Sequence, residues 1–207
     1  MEIIVFTNDV GKKELLQKKS MVDYTFVSSM QELLTYKQAD AFFILTDQYS
    51  VDDLHLLPLI PVFIHSVNNT LSGLALATNF VRVNAWATFL QLVNWEVVGY
   101  EKYIKKIFDV LGWKYTLIAD AVGMVSARIV AMIINEAYFA IGENISTKEE
   151  MDIAMRYGTN YPYGPFEWAA RIGIKNIASL LESLVKNNEV YVIAPILQHE
   201  LETSLQQ

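Results

Sequence analysis

The feature that most limits what this chain can fold into is a change of pattern near residue 120. Short β-branched runs alternate with helical periods up to about residue 119, and from Asp120 onward no strand-like run occurs. A first half written that way builds a parallel sheet covered by crossover helices, and a second half without strands packs helix on helix. Two modest domains are therefore expected within 207 residues, each large enough to bury a core.

In the first half the predicted strands are Ile3–Thr7, Tyr24–Val27, Ala41–Leu45, Pro61–His65, Phe80–Asn84, Glu96–Val98 and Tyr115–Ile118. Helices are predicted over Lys12–Lys19, Met30–Lys37, Val51–Leu57, Leu71–Ala77 and Glu101–Leu111. Pro58 and Pro61 bracket a break where a fixed φ and a missing donor do least harm. The layout over residues 1–119 is Rossmann-like but reduced, giving an α/β class with a parallel sheet domain first.

Residues 120–207 read as helices. Met124–Ile141 is apolar nearly all round, with Ile129, Met132, Ile133 and Ala137 at helical spacing and Val130, Ile134 and Tyr138 on another face, so it should be enclosed on most sides. Asn135 and Glu136, read as buried on it, need polar partners such as Arg128 or backbone amides. Ser146 and Glu149 form a capping-box pattern before Lys148–Tyr157, which Gly158 can terminate. Pro162, Gly164 and Pro165 force a turn into Phe166–Arg171, followed by Ile174–Asn187 and a last helix-like stretch, Ile193–Leu205.

With 53% hydrophobic and 19% charged residues the chain is globular, and a net charge of −7 leaves no basic face beyond Lys102, Lys105 and Lys106, so nucleic acid is not an expected partner. Cysteine is absent, which removes disulfides, thiolate nucleophiles and cysteine-held metals. The start at MEIIVF has no basic region followed by an apolar signal core, so a cytoplasmic location is expected. Ser126, Arg128, Asn135 and Glu136 interrupt the longest apolar segment and make a membrane span too costly.

Binding a dinucleotide at a first strand–helix turn requires glycines, which let backbone approach the pyrophosphate. Here that turn is Thr7-Asn8-Asp9-Val10-Gly11, with Gly11 alone remaining and Asp9 adding negative charge. The second strand ends in Val27-Ser28-Ser29, without an acidic residue for ribose hydroxyls. His65 ends a strand and could reach a cleft at the carboxyl edge of the sheet, although such a histidine is commonly only hydrogen-bonded. No metal-ligand spacing is visible.

Three stretches, RIVAMIINEA, EEMDIAMRYG and YPYGPFEWAARIG, resemble the C-terminal domain of the 3-hydroxyacyl-CoA dehydrogenases across about the last 90 residues. Arg128, Asn135, Glu136, Asp152, Gly158, Gly164, Pro165, Phe166 and Gly173 stand at that family's spacing, with Ala170, followed by Arg171, where it has an acidic residue. The resemblance implies an all-α dimerisation domain, a homodimer formed through it, an acyl-CoA ligand and NAD as cofactor. It places Asn84 where the family has its catalytic His, Glu96 twelve positions on as the carboxylate that orients that His, and Thr70 where a serine contacts substrate. Ala127 falls where the family has an asparagine. Asn84 has no useful proton affinity near neutral pH, which should cost on the order of 10²–10⁴ in rate. Three functions remain open: a weakened or inactive 3-hydroxyacyl-CoA dehydrogenase, a noncatalytic acyl-CoA-binding protein, and a structural or regulatory homodimer.

Overall fold

The structure, a computed structural model, describes residues 1–20, 22–188 and 190–204. It divides into two compact units, Met1–Met124 and Val125–Gln207.

The first unit runs β1 (Ile3–Thr7), α1 (Asp9–Gln17), β2 (Tyr24–Val27), α2 (Met30–Leu33), β3 (Ala41–Leu45), α3 (Val51–His55), β4 (Val62–His65), β5 (Phe80–Val83), β6 (Asn94–Gly99), α4 (Glu101–Leu111) and β7 (Lys114–Leu117). Its strands form one sheet in the order β2-β1-β3-β4-β5-β6-β7. Alternate residues serve two cores: Ile3, Val5 and Phe63 on one face with Ile104 and Phe108 of α4, and Ile4, Phe6 and Ile64 on the other with Leu33 and Leu54. Burial on both faces is why these strands read as continuous apolar runs.

Four expectations need correction here. The sheet is not wholly parallel, because β5 and β6 pair antiparallel. Residues 84–93 contain no helix, and a parallel return would require a longer crossover. Leu71–Ala77 is also not a helix: Thr70 caps a single turn by accepting the Gly73 N–H at 3.0 Å, and Ala75 at φ 52° turns the chain away. The predicted Met30–Lys37 helix shortens to α2, while α1 begins at Asp9, ahead of the predicted Lys12, because the Asn8 side chain caps it.

The second unit contains α5 (Ser126–Gly142), α6 (Lys148–Thr159), α7 (Pro165–Ile172), α8 (Ile174–Asn187) and α9 (Pro195–Ser204); Leu205 of the last predicted stretch lies outside the described residues. Asn135, buried as expected, uses backbone partners: its Nδ2 donates to Val192 O at 2.8 Å and its Oδ1 accepts the Ala194 N–H at 2.9 Å. Glu136, expected to be buried, is exposed. The capping box of α6 is Thr147 with Glu150, one residue later than predicted, and Asn160 at φ 58° ends the helix in place of Gly158. No described helix is long and apolar enough to cross a membrane.

The helix α6 buries none of its residues and is held by polar contacts. Asp152 accepts the Phe166 N–H at 2.8 Å and the Glu167 N–H at 3.1 Å, capping α7 from outside. Gly164 makes this approach possible, since a Cβ there would stand 2.2 Å from the Asp152 carboxylate. Lys148 pairs with Glu200 at 2.6 Å and lies over the Tyr138 and Phe166 rings at 5.2 and 5.3 Å.

Candidate functional site

The register of β5 and β6 locates the candidate site. Val81 pairs with Gly99, Arg82 with Val98 and Val83 with Val97. Continuing the ladder by one residue brings Asn84 opposite Glu96, on the sheet face of Arg82 and Val98 rather than that of Val83 and Val97. The twelve-residue separation is therefore the return path of one antiparallel pair. Glu96 is half-buried in β6, opposite Thr116 of β7.

Asn84 is buried, and its Oδ1 accepts the Trp86 N–H at 3.0 Å while its Nδ2 has no hydrogen-bond partner. Its neighbours along the chain are fixed in a similar way. The Ala85 N–H donates to His65 Nδ1 at 2.9 Å, and the Thr88 N–H donates to Glu14 Oε1 at 2.6 Å. Three side chains, from the end of β4, the end of β5 and α1, thus hold the 85–88 backbone. Thr88 sits at φ 81°, a conformation that a β-branched residue adopts only when its surroundings impose it.

His65 is consequently not a free base. Burial depresses its pKa, against an opposing pull from Asp47, whose Oδ1 lies 3.6 Å from Nε2. A neutral ring that accepts at Nδ1 carries its proton on Nε2, facing that carboxylate. Thr70 lies in the β4–β5 connection, and its hydroxyl is engaged with Ser72 Oγ at 3.1 Å as well as with the Gly73 N–H. Asn84 follows directly on the last β5–β6 pair, next to Glu96 in register, and Thr70 is committed to its own turn.

A polar group missed by the sequence reading lies beside them. Arg82 is fully buried in β5; its Nε donates to Ser66 O at 2.8 Å and its terminal nitrogens bind Asp120 and, at 3.3 Å, Ala121 O. Asp120 in turn accepts the Leu71 and Ser72 N–H groups at 3.2 and 3.4 Å. The guanidinium ties the loop after β4 to the loop after β7, because a buried cation has to find acceptors. The available signal was an arginine inside the otherwise apolar FVRV strand.

The turn between β1 and α1 is already occupied by its own side chains. The Asn8 side chain already accepts the Gly11 N–H at 2.8 Å, and the Asp9 carboxylate occupies the first turn of α1. Gly11 serves packing, since a Cβ there would lie 2.2 Å from Thr7 Oγ1. After β2, Glu32 is the near carboxylate, and it accepts from Ser28 N and Oγ, both at 2.8 Å. These residues do not fit a pyrophosphate and ribose. Among the described residues no group of three or more metal-ligating side chains exists.

In the second unit, α5, α6 and the start of α7 enclose an apolar groove of about 430 Å³, lined by Ile133, Ala137, Ala140, Ile145, Met151, Ala154, Met155 and Pro165, with Glu136 and Glu150 among its polar residues. Ile129 and Ile153 are exposed on the same two helices. Most of α5 is buried or half-buried, as expected, and Ile129 and Glu136 are exposed.

A mostly parallel Rossmann-like sheet unit followed by a helical unit defines a class of dehydrogenase-like folds. Residues 123–204 match the family model of the 3-hydroxyacyl-CoA dehydrogenase C-terminal domain. The chain is 51% identical over 67 residues to the 3-hydroxyadipyl-CoA dehydrogenase of Escherichia coli (strain K12), covering 32% of this chain and 14% of that protein. It is 31% identical over 80 residues to the 3-hydroxybutyryl-CoA dehydrogenase of Bradyrhizobium diazoefficiens, covering 39% of this chain and 27% of that one. The (S)-3-hydroxybutyryl-CoA dehydrogenase of Ralstonia eutropha superposes with a TM-score of 0.74 over 98% of this chain and 94% of that one, at 14% identity, a likeness of fold. The 3-hydroxybutyryl-CoA dehydrogenase of Escherichia coli K12 superposes at 0.58 with 30% identity, over 70% of this chain and 32% of that one. The matches to the two curated relatives span less than a third of their length. The family match is thus confined to residues 123–204, and over the rest of the chain the likeness to 3-hydroxyacyl-CoA dehydrogenases is one of fold.

Proposed function

We propose that this chain is a 3-hydroxyacyl-CoA dehydrogenase-type protein that no longer transfers hydride, and that it works as a noncatalytic homodimer with an acyl-CoA ligand. One observation supports the first part: Asn84, the residue that the resemblance aligns with the family's base, uses its side-chain oxygen to hold the Trp86 N–H. An amide cannot take a proton from a 3-hydroxyl near neutral pH, and the neighbouring His65 has its Nδ1 occupied. The misfit of the first turn to a pyrophosphate supports the same reading for NAD.

The homodimer rests on a separate observation. The groove beside α6, together with exposed Ile129, leaves apolar surface that a second copy of the helical unit would cover. The acyl-CoA ligand rests on family resemblance.

Titrating NADH and acetyl-CoA separately into the purified protein by calorimetry tests the reading. Heat with the thioester and none with the nucleotide is expected. Micromolar NADH binding would restore the dehydrogenase reading, and silence with both would leave only the dimer.

A further inference from the structure

The helices α1 and α4 pack on the same face of the sheet, where Leu15 joins Ile104, Phe108 and Leu111 in one core. Residues 9–19 and 101–114, which contain the two helices and the start of β7, therefore present their outward side chains on one side of the sheet unit. They carry eight of the chain's 16 basic residues against four of its 23 acidic ones. Elsewhere acidic residues outnumber basic ones by 19 to 8, so this side is a positive island in an acidic chain and attracts anions.

The C-terminal ends of the two helices border a cleft of about 370 Å³, a size within the range of small-molecule sites. Lys18, Lys19 and Lys114 line it together with Gln17, Gln91 and Trp113, and no carboxylate does. Two helix C-termini together supply about one negative elementary charge, which leaves about two of the three ammonium charges without compensation. Lys18 shows the excess most clearly. It is half-buried at the C-cap of α1, with its Nζ 5.3 Å from the centre of the Trp95 ring and 4.9 Å from that of Trp113. The indole faces favour the charged ammonium, and the Leu92 carbonyl takes one of its three N–H donors. No carboxylate pairs with it among the described residues, whereas Lys105 and Lys148 have Asp109 and Glu200. The burial that pulls its pKa down to about 8 is a desolvation cost that a bound anion offsets.

The donor set selects the kind of anion. A planar carboxylate favours the arginine fork, and the cleft has no arginine; lysines act as point charges and suit a tetrahedral phosphate. Gln17 and Gln91 add amide donors for the remaining oxygens. We propose that this cleft binds a small molecule by a terminal phosphate or diphosphate group, held between the half-buried ammonium of Lys18 and the exposed Lys19 and Lys114.

The test titrates the whole protein with inorganic pyrophosphate in one arm and ribose 5-phosphate in the other, each against potassium chloride at matched ionic strength. Heat and tryptophan emission are followed together, because Trp113 lines the cleft beside Lys18. A saturating response with a dissociation constant below about 1 mM is expected in at least one arm, and the tighter arm tells a bare diphosphate from a phosphate ester. The Lys19→Gln/Lys114→Gln double variant is expected to bind about tenfold more weakly. Lys18→Met, which keeps an apolar stem over the indoles, is expected to lose the emission change. No saturation in either arm overturns the proposal, and so does an equal response to chloride. Unchanged affinity in the double variant overturns it as well, because the phosphate would then sit elsewhere. Neither probe is a thioester, so either result leaves the acyl-CoA reading untouched.

Discussion

Asp120, in the loop after β7, binds the buried guanidinium of Arg82, and the same carboxylate holds the Leu71 and Ser72 amides. The pair is unequal: the arginine side chain is 0% exposed and the aspartate 27%. Removing the aspartate leaves a buried cation without its counter-charge, on carbonyl acceptors alone, which costs about 3–5 kcal/mol. Asp120→Ala should lower stability to urea by that amount and speed hydrogen exchange at Leu71 and Ser72. Unchanged exchange at those amides would deny the tie between the two loops.

The stability of the sheet unit should depend on pH through His65. Burial holds its pKa below the ordinary histidine value; Asp47 opposes this and Arg82 adds to it. The unfolded chain therefore binds a proton more readily than the folded one. The contribution is fully present above about pH 6.5 and is lost as pH falls from there toward the lower folded value. His65→Gln keeps an acceptor for the Ala85 N–H and removes the titration. Urea melts between pH 5 and 7.5 should show a steeper loss in the native protein than in the variant, and parallel slopes would contradict the assignment.

In the helical unit, Asp152→Ala should cost about 1–3 kcal/mol, because the Phe166 and Glu167 N–H groups lose their acceptor. Gly164→Ala should destabilise through the clash of its new methyl with Asp152. Since both changes strike one contact, the double variant should cost less than the sum of the two, which a denaturation cycle measures directly.

The homodimer reading predicts that Ile129→Lys weakens self-association while the secondary structure remains. Ile129 is 51% exposed on α5, so a lysine there strains nothing within one chain. Light scattering across micromolar concentrations should show a dimer for the native protein and a monomer for the variant. A native monomer would remove the reading.

Local pattern made much of the fold readable. Tyr24–Val27 and Glu101–Leu111 have the same bounds in sequence and structure, since alternation and amphipathic spacing are properties of neighbouring residues. What could not be read is set by distant partners. The turn at Leu71–Ala77 depends on Asp120, some 49 residues away from Leu71, and the antiparallel β6 depends on a short return after Val83. At the candidate site, the spacing of Asn84 and Glu96 was visible as a count, but its meaning as facing register positions was not. His65 and Glu14 were invisible as partners of the 85–88 backbone, because an N–H acceptor leaves no mark in sequence.

With Asn84 in place of a base and the α1 turn capped by Asn8, the proposed reading leaves no hydride transfer. A single-turnover experiment with protein in excess over NADH, in the presence of acetoacetyl-CoA, follows nicotinamide absorbance. No oxidation of NADH is expected, and none in Asn84→His either, because the first turn still does not fit the cofactor. Stoichiometric oxidation by the native protein would overturn the reading.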